Sequence, residues 1–196
     1  MENQRIRVSK TMLKNALMQL LEKKSIDKIS IYELCDTAQL NRTTFYKYYG
    51  SQYDLLGDIE NDHFGKLEEL LSESGADGED ILCKVLEALH ENEMSYKILI
   101  NALPDKDFSA KLFNLPAIRM QIEKTIPTTF SPREREQLCL FFYQGGYALI
   151  REWLNCEDRE PPKKLAAFLN GVIMKLTREA EITSTMFNFY IQLSFI

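Results

Sequence analysis

The chain has 196 residues, of which 45% are hydrophobic, and its formal net charge is −5 at pH 7. This is enough apolar material for one large or two small folded domains, which excludes a chain that is disordered throughout. The charge is unevenly placed. Residues 1–52 hold nine Lys and Arg against five Asp and Glu, a net +4, so the remainder carries −9. A nucleic-acid partner is therefore not excluded by the negative total.

The composition also restricts the fold class and the compartment. Runs rich in Leu, Lys, Glu, Met and Ala, with no strand–helix alternation, predict an all-α protein of about nine helices. Cys35, Cys83, Cys139 and Cys156 lie far apart without C-x-x-C spacing, which predicts buried free thiols and no metal site. The first residues lack an apolar signal core, and no stretch approaches eighteen apolar residues. We expect a cytoplasmic protein with no cofactor and no membrane partner.

The first helix is predicted to start at Ser9 as its N-cap and to run to about Lys23. Residues 1–8 then form a polar arm that includes Arg5 and Arg7. Together with Lys10, these cations could reach a minor groove or a phosphate of DNA. The alternative is a frayed, solvated terminus.

Two short helices are predicted between residues 30 and 49. Ser30 followed by Glu33 is a capping-box pattern that opens the first of them. The chain breaks at residues 39–41, and the side chain of Asn41 can cap the second helix by accepting from a following amide. Apolar residues are spaced for two helices that cross over one small core: Ile31, Leu34, Ala38, Leu40, Phe45 and Tyr49.

The second of these helices carries a cationic, hydroxylated and aromatic face, formed by Arg42, Thr43, Thr44, Tyr46, Lys47 and Tyr48. Such a face is typical of the recognition helix of a helix-turn-helix, in which N-terminal residues reach base edges and hydroxyls and lysines hold phosphates. Arg42 is the expected base reader, because its guanidinium can bridge O6 and N7 of guanine. Any small helical hairpin could show the same pattern.

The stretch NRTTFYKYYGSQYDLL, residues 41–56, resembles the T-F-Y-x-Y/H-F-x-S-K-x-x-L-L signature of the tetracycline-repressor (TetR) family, and SIYELCDTAQL resembles the helix before it. The resemblance covers about residues 9–71. It implies a three-helix DNA-binding head over residues 1–50, with these DNA-contacting residues: Arg5, Lys10, Ser30, Asn41, Arg42, Thr43, Thr44, Tyr46, Lys47 and Tyr48. Gln39 departs from the family pattern, because a glycine commonly makes this turn and a positive φ could be required of it. Gln52 replaces a lysine that often meets the DNA backbone.

A helical regulatory and dimerisation body is expected over residues 51–181. Ser51 and Asp54 open a helix that runs to about residue 72, and a polar loop follows. Further helices are predicted over residues 79–102, 108–113, 116–125, 132–155 and 162–177. Ser131 and Glu134 form a capping box at the start of the helix at 132. Residues 182–196 form an uncharged apolar tail that would need an added strand or a docked position to be hidden.

The family resemblance also implies an effector pocket and a dimer in this body. The pocket candidates are His63, Phe64, Tyr96, Phe108, Phe113, Met120 and Tyr143, although aromatic and Met side chains at helical spacing are more often plain core. FYQGGYALIREWLNCEDREPPKKLAAFL resembles the last two helices of a TetR-family C-terminal domain. The expected dimer-interface residues are Phe142, Gly145, Gly146, Leu149, Trp153, Phe168 and Val172.

Three kinds of function remain open on the sequence. The first is a homodimeric transcriptional regulator, most simply a repressor, that binds a palindromic double-stranded operator and is released by a small-molecule effector. The second is a helical co-activator that works through a protein partner with little independent DNA binding. The third is a helical enzyme, which is disfavoured because His63 and His90 have no nucleophile or carboxylate pair that the sequence can place beside them.

Overall fold

The computed structural model describes residues 4–73, 78–102 and 105–193. These residues form ten α-helices and one short 3₁₀ helix, so the all-α prediction is confirmed. The helices are α1 Gln4–Leu21, α2 Ile31–Thr37, α3 Arg42–Tyr46, α4 Gln52–Glu73, α5 Gly78–Glu91, α6 Glu93–Ala102, α7 Asp105–Phe113, α8 Pro116–Thr125, α9 Pro132–Asn155 and α10 Pro162–Leu193, with the 3₁₀ turn at Ile26–Lys28.

One predicted helix is in fact two helices, which raises the count from about nine to ten. The stretch 79–102 is interrupted at Asn92, between α5 and α6. The Asn92 side-chain amide donates to the Ala88 carbonyl, which also accepts from the Asn92 backbone amide, both at 3.3 Å. Asparagine side chains compete with helical hydrogen bonds in this way and favour helix ends.

The predicted start of the first helix at Ser9 is wrong. α1 already begins at Gln4, and the Ser9 hydroxyl donates back to the Arg5 carbonyl at 3.0 Å, inside the helix. Thr11 does the same to Arg7 at 2.9 Å. Residues 4–8 are therefore helical, and the polar arm expected there is not formed by them. Arg5 and Arg7 are exposed positions of α1.

The predicted end of the last helix at residue 177 is also wrong. α10 continues to Leu193, so most of the apolar tail is helical and the added strand is excluded for that part. After Gly171 the helix contains neither glycine nor proline, so no residue interrupts the backbone hydrogen bonds. Whether the tail docks depends on side chains from residue 180 onward, which lie outside the described ones.

The chain divides into two compact units. Unit 1 comprises Met1–Lys66 and Met94–Asp105, and unit 2 comprises Leu67–Glu93 and Lys106–Ile196. Unit 1 has a fully buried core that includes Leu13, Leu17, Leu34, Phe45, Leu55 and Leu56. In unit 2 the most buried side chains include Leu86, Leu89, Phe108, Ile150, Trp153 and Leu154. The division of function at residue 50 stays a prediction.

Two predicted helix starts are confirmed in detail. The Ser131 hydroxyl accepts from the Glu134 amide, and the Glu134 carboxylate accepts from the Ser131 amide at 2.8 Å. Ser51 and Asp54 exchange the same pair of bonds, at 3.3 and 3.0 Å, and Gly50 donates a further one to Asp54 at 2.9 Å. Each exchange satisfies amides that a helix N-terminus leaves without partners.

Candidate nucleic-acid interface and effector cavity

The turn between α2 and α3 has an unusual backbone at Gln39. Its φ is 53°, in the left-handed region that a residue with a Cβ rarely adopts. The Gln39 amide donates to Asp36 at 3.1 Å, and the Leu40 amide donates to Cys35 at 2.9 Å. The turn conformation considered for Gln39 is therefore present, and it redirects the chain into α3.

Asn41 caps α3 as predicted. Its Oδ1 accepts from both the amide and the hydroxyl of Thr44, each at 2.8 Å. The Thr44 hydroxyl hydrogen is thus used within the cap, and its side chain is half-buried. Because a phosphate oxygen needs a donor, Thr44 is a weaker phosphate ligand in this geometry than the sequence suggests.

Ser30 caps α2, but it forms only one half of the predicted capping box. The Ser30 hydroxyl accepts from the Glu33 amide at 3.2 Å. The Glu33 carboxylate accepts from Lys24 Nζ, with both oxygens at 2.6 Å. This ion pair ties the segment before α2 to its first turn.

The outer side of α3 presents a shallow surface depression formed by Arg42, Thr43, Tyr46 and Lys47. All four residues are exposed, and no carboxylate lines the depression. On the opposite side Phe45 is fully buried, and its ring meets the Tyr46 ring edge-to-face at 5.4 Å. Tyr48 is half-buried and packs edge-to-face on Tyr49, so it contributes less to the outer face than the sequence predicts.

A polar network that the sequence did not reveal anchors the end of this motif to α4. The Tyr49 hydroxyl donates to Asp58 at 2.6 Å, and Lys14 Nζ lies 3.0 Å from Asp58 and 2.6 Å from Asp62. Burial raises the pKa of Asp58, but hydrogen bonds from Tyr49 and Lys14 and the charges of Lys14 and Lys10 outweigh it, so the pKa is lowered overall. Lys10, one of the predicted DNA contacts, therefore lies near this network.

A cavity of about 810 Å³ lies in unit 2, between helices α5, α7, α8, α9 and α10. Most of its walls are aliphatic or aromatic. Its lining includes Val85 of α5, Phe113 of α7, Gln121 and Thr125 of α8, Phe142 and Gly146 of α9, and Asn170, Thr177 and Arg178 of α10.

Of the seven predicted pocket residues, only Phe113 lines this cavity. His63, Phe64 and Tyr96 belong to unit 1, where the Tyr96 hydroxyl donates to the His63 carbonyl at 3.4 Å. Burial raises the pKa of Tyr96 to about 12, as expected for a core phenol.

The other three predicted pocket residues are in unit 2. Phe108 is fully buried against Tyr147, and Met120 is exposed. Tyr143 stacks on Phe113 at 4.9 Å but lines a separate open groove.

The predicted dimer-interface residues divide between the interior and the surface. Phe142 and Gly146 line the cavity, and a Cβ on Gly146 would lie 3.6 Å from the Phe113 ring. Trp153 is buried, and its Nε1 donates to the Glu160 carbonyl at 2.8 Å. Phe142 and Trp153 are therefore buried within unit 2, whereas Gly146 is half-buried. Gly145, Leu149 and Phe168 are exposed, and Val172 is half-buried.

His90 takes part in a structural cluster of unit 2. The Arg159 guanidinium is bonded to Glu93, lies 3.1 Å from His90 Nδ1, and stands 5.1 Å from the centre of the Trp153 ring. Within the described part of the chain, no group of three or more His, Cys, Asp or Glu side chains could hold a metal ion. None of the described helices has the length and apolar character needed to cross a membrane.

The capped turn and the exposed cationic α3 define a helix-turn-helix protein with an all-helical companion unit that contains a cavity. A family model for a transcriptional regulator C-terminal region, of the TetR type, matches residues 77–175, which is half of the chain. The chain therefore belongs to the TetR family of transcriptional regulators.

Solved structures agree with this fold. A TetR transcriptional regulator from Streptococcus agalactiae 2603V is similar with a TM-score of 0.72 and 22% identity, over 86% of this chain and 95% of that one. The dihydroxyacetone kinase operon activator DhaS is similar with a TM-score of 0.56 and 22% identity, over 87% of this chain and 96% of that one. A regulatory protein of the tetR family from Rhodococcus RHA1 has a TM-score of 0.55 and 15% identity, over 86% of this chain and 96% of that one. No curated protein matches the chain.

Proposed function

We propose that this protein is a cytoplasmic, non-enzymatic, homodimeric repressor that binds a palindromic DNA operator through α2 and α3 and is released by a small-molecule effector. The observation that carries the proposal is the exposed group of Arg42, Thr43, Tyr46 and Lys47 on one side of a capped helix. Guanidinium, ammonium and hydroxyl groups are the donors that DNA contacts use, and a lining without carboxylates does not repel phosphates.

Individual roles follow from exposure. Arg42, at the first position of α3, is the base reader, because base contacts come from the N-terminal residues of a recognition helix. Lys47, Tyr46 and Thr43 hold phosphates. Thr44 is left out of the phosphate contacts, because its hydroxyl donates its hydrogen to Asn41. Arg5 and Lys10 remain proposed contacts from α1.

The dimer is supported by apolar side chains exposed on α9 and α10 of unit 2. Phe141 is 60% exposed and Phe168 is 58% exposed, and Leu140, Leu149 and Met174 are also on the surface. A Cβ added to Gly145 or Gly171 would meet no atom within 4 Å, so both glycines face open space. Large apolar patches on soluble proteins mark interfaces. We propose that α9 and α10 of two copies pack as a four-helix bundle about a two-fold axis.

The cavity in unit 2 supports effector binding. Its volume of about 810 Å³ is within the range of small-molecule sites, which are mostly apolar with a few polar groups. An effector that prefers the conformation with low DNA affinity would release the operator by that difference in affinity.

A co-activator that works through a protein partner is the second candidate, because one structural neighbour is described as an operon activator. Mapping the genomic sites bound by purified protein alone separates the two. A repressor selects palindromic sites with half-sites about one helical turn apart, roughly 34–36 Å, whereas the co-activator selects no site without its partner.

Two substitutions test the assigned roles on a mapped site. We expect Arg42→Ala to weaken binding to the cognate site by about 1 to 3 kcal/mol per half-site and to relax the base preference there. Lys47→Ala should weaken binding to cognate and random DNA alike. It should also reduce the dependence of the logarithm of the binding constant on the logarithm of salt concentration by about one unit per half-site. Lys124→Ala, an exposed cation of unit 2, is the matched control and should change neither quantity. If Arg42→Ala lost affinity equally for cognate and random DNA, Arg42 would not be the base reader.

A further inference from the structure

The polar groups of the unit 2 cavity are confined to two helices. The walls from α5, α7 and α9 contribute aliphatic and aromatic side chains such as Val85, Phe113 and Phe142, together with Gly146. Polar side chains come from Gln121 and Thr125 of α8 and from Asn170, Thr177 and Arg178 of α10. A ligand in this space therefore meets an apolar environment over most of its surface.

The hydroxyl groups of the cavity donate their hydrogens within their own helices. The Thr125 hydroxyl donates to the Gln121 carbonyl at 2.8 Å, and the Gln121 amide lies 3.5 Å from Thr125 Oγ1. The Thr177 hydroxyl lies 2.8 Å from the Ile173 carbonyl and 3.1 Å from that of Met174. These threonines therefore offer a ligand acceptor oxygens rather than donors.

Arg178 is the one charged group among the described residues that line the cavity. It is exposed, whereas Thr177 beside it in sequence is buried, so the guanidinium lies at the rim and the apolar space lies inside. A guanidinium presents planar paired donors that match the oxygens of a carboxylate or a phosphate. No carboxylate of the described lining is available to a cationic ligand.

We infer that the effector is an amphiphile with an apolar body and a single anionic head, and that Arg178 binds the head at the cavity rim. This inference rests on the proposed effector site and specifies its chemistry. The apolar body fills the space between α5, α7, α8 and α9, where burial of apolar surface supplies most of the affinity. The head charge selects anionic amphiphiles over neutral and cationic ones of equal length.

The test is calorimetric titration of the full-length protein with four probes of equal chain length: dodecanoate, dodecyl phosphate, dodecanol and dodecyltrimethylammonium. The three charged probes are kept below their micelle concentrations, and dodecanol is kept below its solubility limit. At least one anionic probe should bind tenfold or more tightly than dodecanol, since a hydrogen bond to a charged group supplies that factor. The cation should bind no better than dodecanol. Equal affinity for anionic and neutral probes, or tighter binding of the cation, overturns the inference.

Variants assign the charge selectivity to Arg178. Arg178→Gln should remove the preference for the anion and leave dodecanol binding unchanged, whereas Arg133→Gln, an exposed arginine of α9 outside the lining, should preserve it. If Arg178→Gln does not fold, Arg178→Lys keeps the charge without the paired donors and should show an intermediate preference. The role of Arg178 is overturned if the folded Arg178 variant keeps the full preference for the anionic probe. It is also overturned if Arg133→Gln reduces that preference as much as the Arg178 variant does.

A third variant locates the ligand. A Cβ at Gly146 would lie in ordinary contact with Phe113, so the larger ring of Gly146→Phe must enter the cavity. Gly146→Phe should abolish binding of both the anionic probe and dodecanol. If either probe still binds, the ligand lies elsewhere and the inference is overturned. Because these titrations contain no DNA, their result is independent of the operator assay. Site-specific DNA binding without any anion preference would leave the proposed function standing and remove only this inference.

Discussion

Replacing Gln39 with glycine should stabilise the protein, because the left-handed backbone at this residue disfavours any side chain. A residue with a Cβ loses roughly 1 to 2 kcal/mol in the left-handed region. At φ 53° Gln39 carries this penalty, and glycine does not. Glycine also increases the conformational freedom of the unfolded chain, which offsets about 0.4 to 1 kcal/mol of the gain. The difference between these two terms is an expected net stabilisation of roughly 0 to 1.6 kcal/mol, with a midpoint of about 0.8 kcal/mol.

The measurement is urea denaturation followed by far-ultraviolet circular dichroism, with thermal melts as a second readout. For a protein of this size, each kcal/mol corresponds to about 2 to 4 °C in melting temperature. Gln39→Ala keeps the Cβ and should match the parent, whereas Gln39→Val adds a branched side chain and should be less stable. If Gln39→Gly were about 0.4 to 1 kcal/mol less stable than Gln39→Ala, the entropy of the unfolded chain would account for the whole difference. The turn would then store no strain and the reasoning would be refuted.

Three further predictions concern other parts of the molecule. Asn41→Ala should lower the free energy of unfolding by about 1 kcal/mol while Asn41→Asp retains it, and equal denaturation midpoints would contradict the cap. The lowered pKa of Asp58 means that its contribution to stability is complete above the ordinary carboxyl pKa and disappears as pH falls through the lower folded value. Acid titration by circular dichroism below about pH 4 should therefore be flatter for Asp58→Asn, and superimposable curves would argue against the Tyr49–Asp58 network. In light scattering, Gly145→Arg should yield monomers while Gly146→Ala stays dimeric, and a dimeric Gly145→Arg protein would exclude this face as the interface.

Local determinants were predictable from the sequence. The caps at Asn41, Ser51 and Ser131 depend on side chains within three residues of the amides that they accept from, so residue type and spacing suffice. The break between two apolar patterns predicted a turn at residues 39–41, and the glycine that the TetR family commonly has there predicted the positive φ of Gln39. Ser9 shows the limit of such signals, because the same hydroxyl that caps a helix can instead bond back to the preceding turn.

The cavity was not predictable because apolar periodicity identifies a buried face without identifying what that face contacts. Met120 and Phe113 belong to similar apolar patterns, yet one is exposed and the other lines the cavity. Phe142 and Gly146 were expected at a dimer interface and also line the cavity, and their place in a dimer stays a prediction. Arg178 was missed because the last helix was expected to end at residue 177. The absence of any helix-breaking residue after Gly171 was the available signal.

The sequence contains a single tryptophan, and its surroundings make it an optical reporter of one unit only. Trp153 is buried in unit 2 beside the Arg159 guanidinium and donates to the Glu160 carbonyl. Emission excited at the red edge of protein absorption therefore records the packing of the connection between α9 and α10 and is silent about the helix-turn-helix. Circular dichroism, in contrast, averages over all ten described helices. A denaturation in which fluorescence and dichroism change at different midpoints would reveal that units 1 and 2 lose their structure in separate steps.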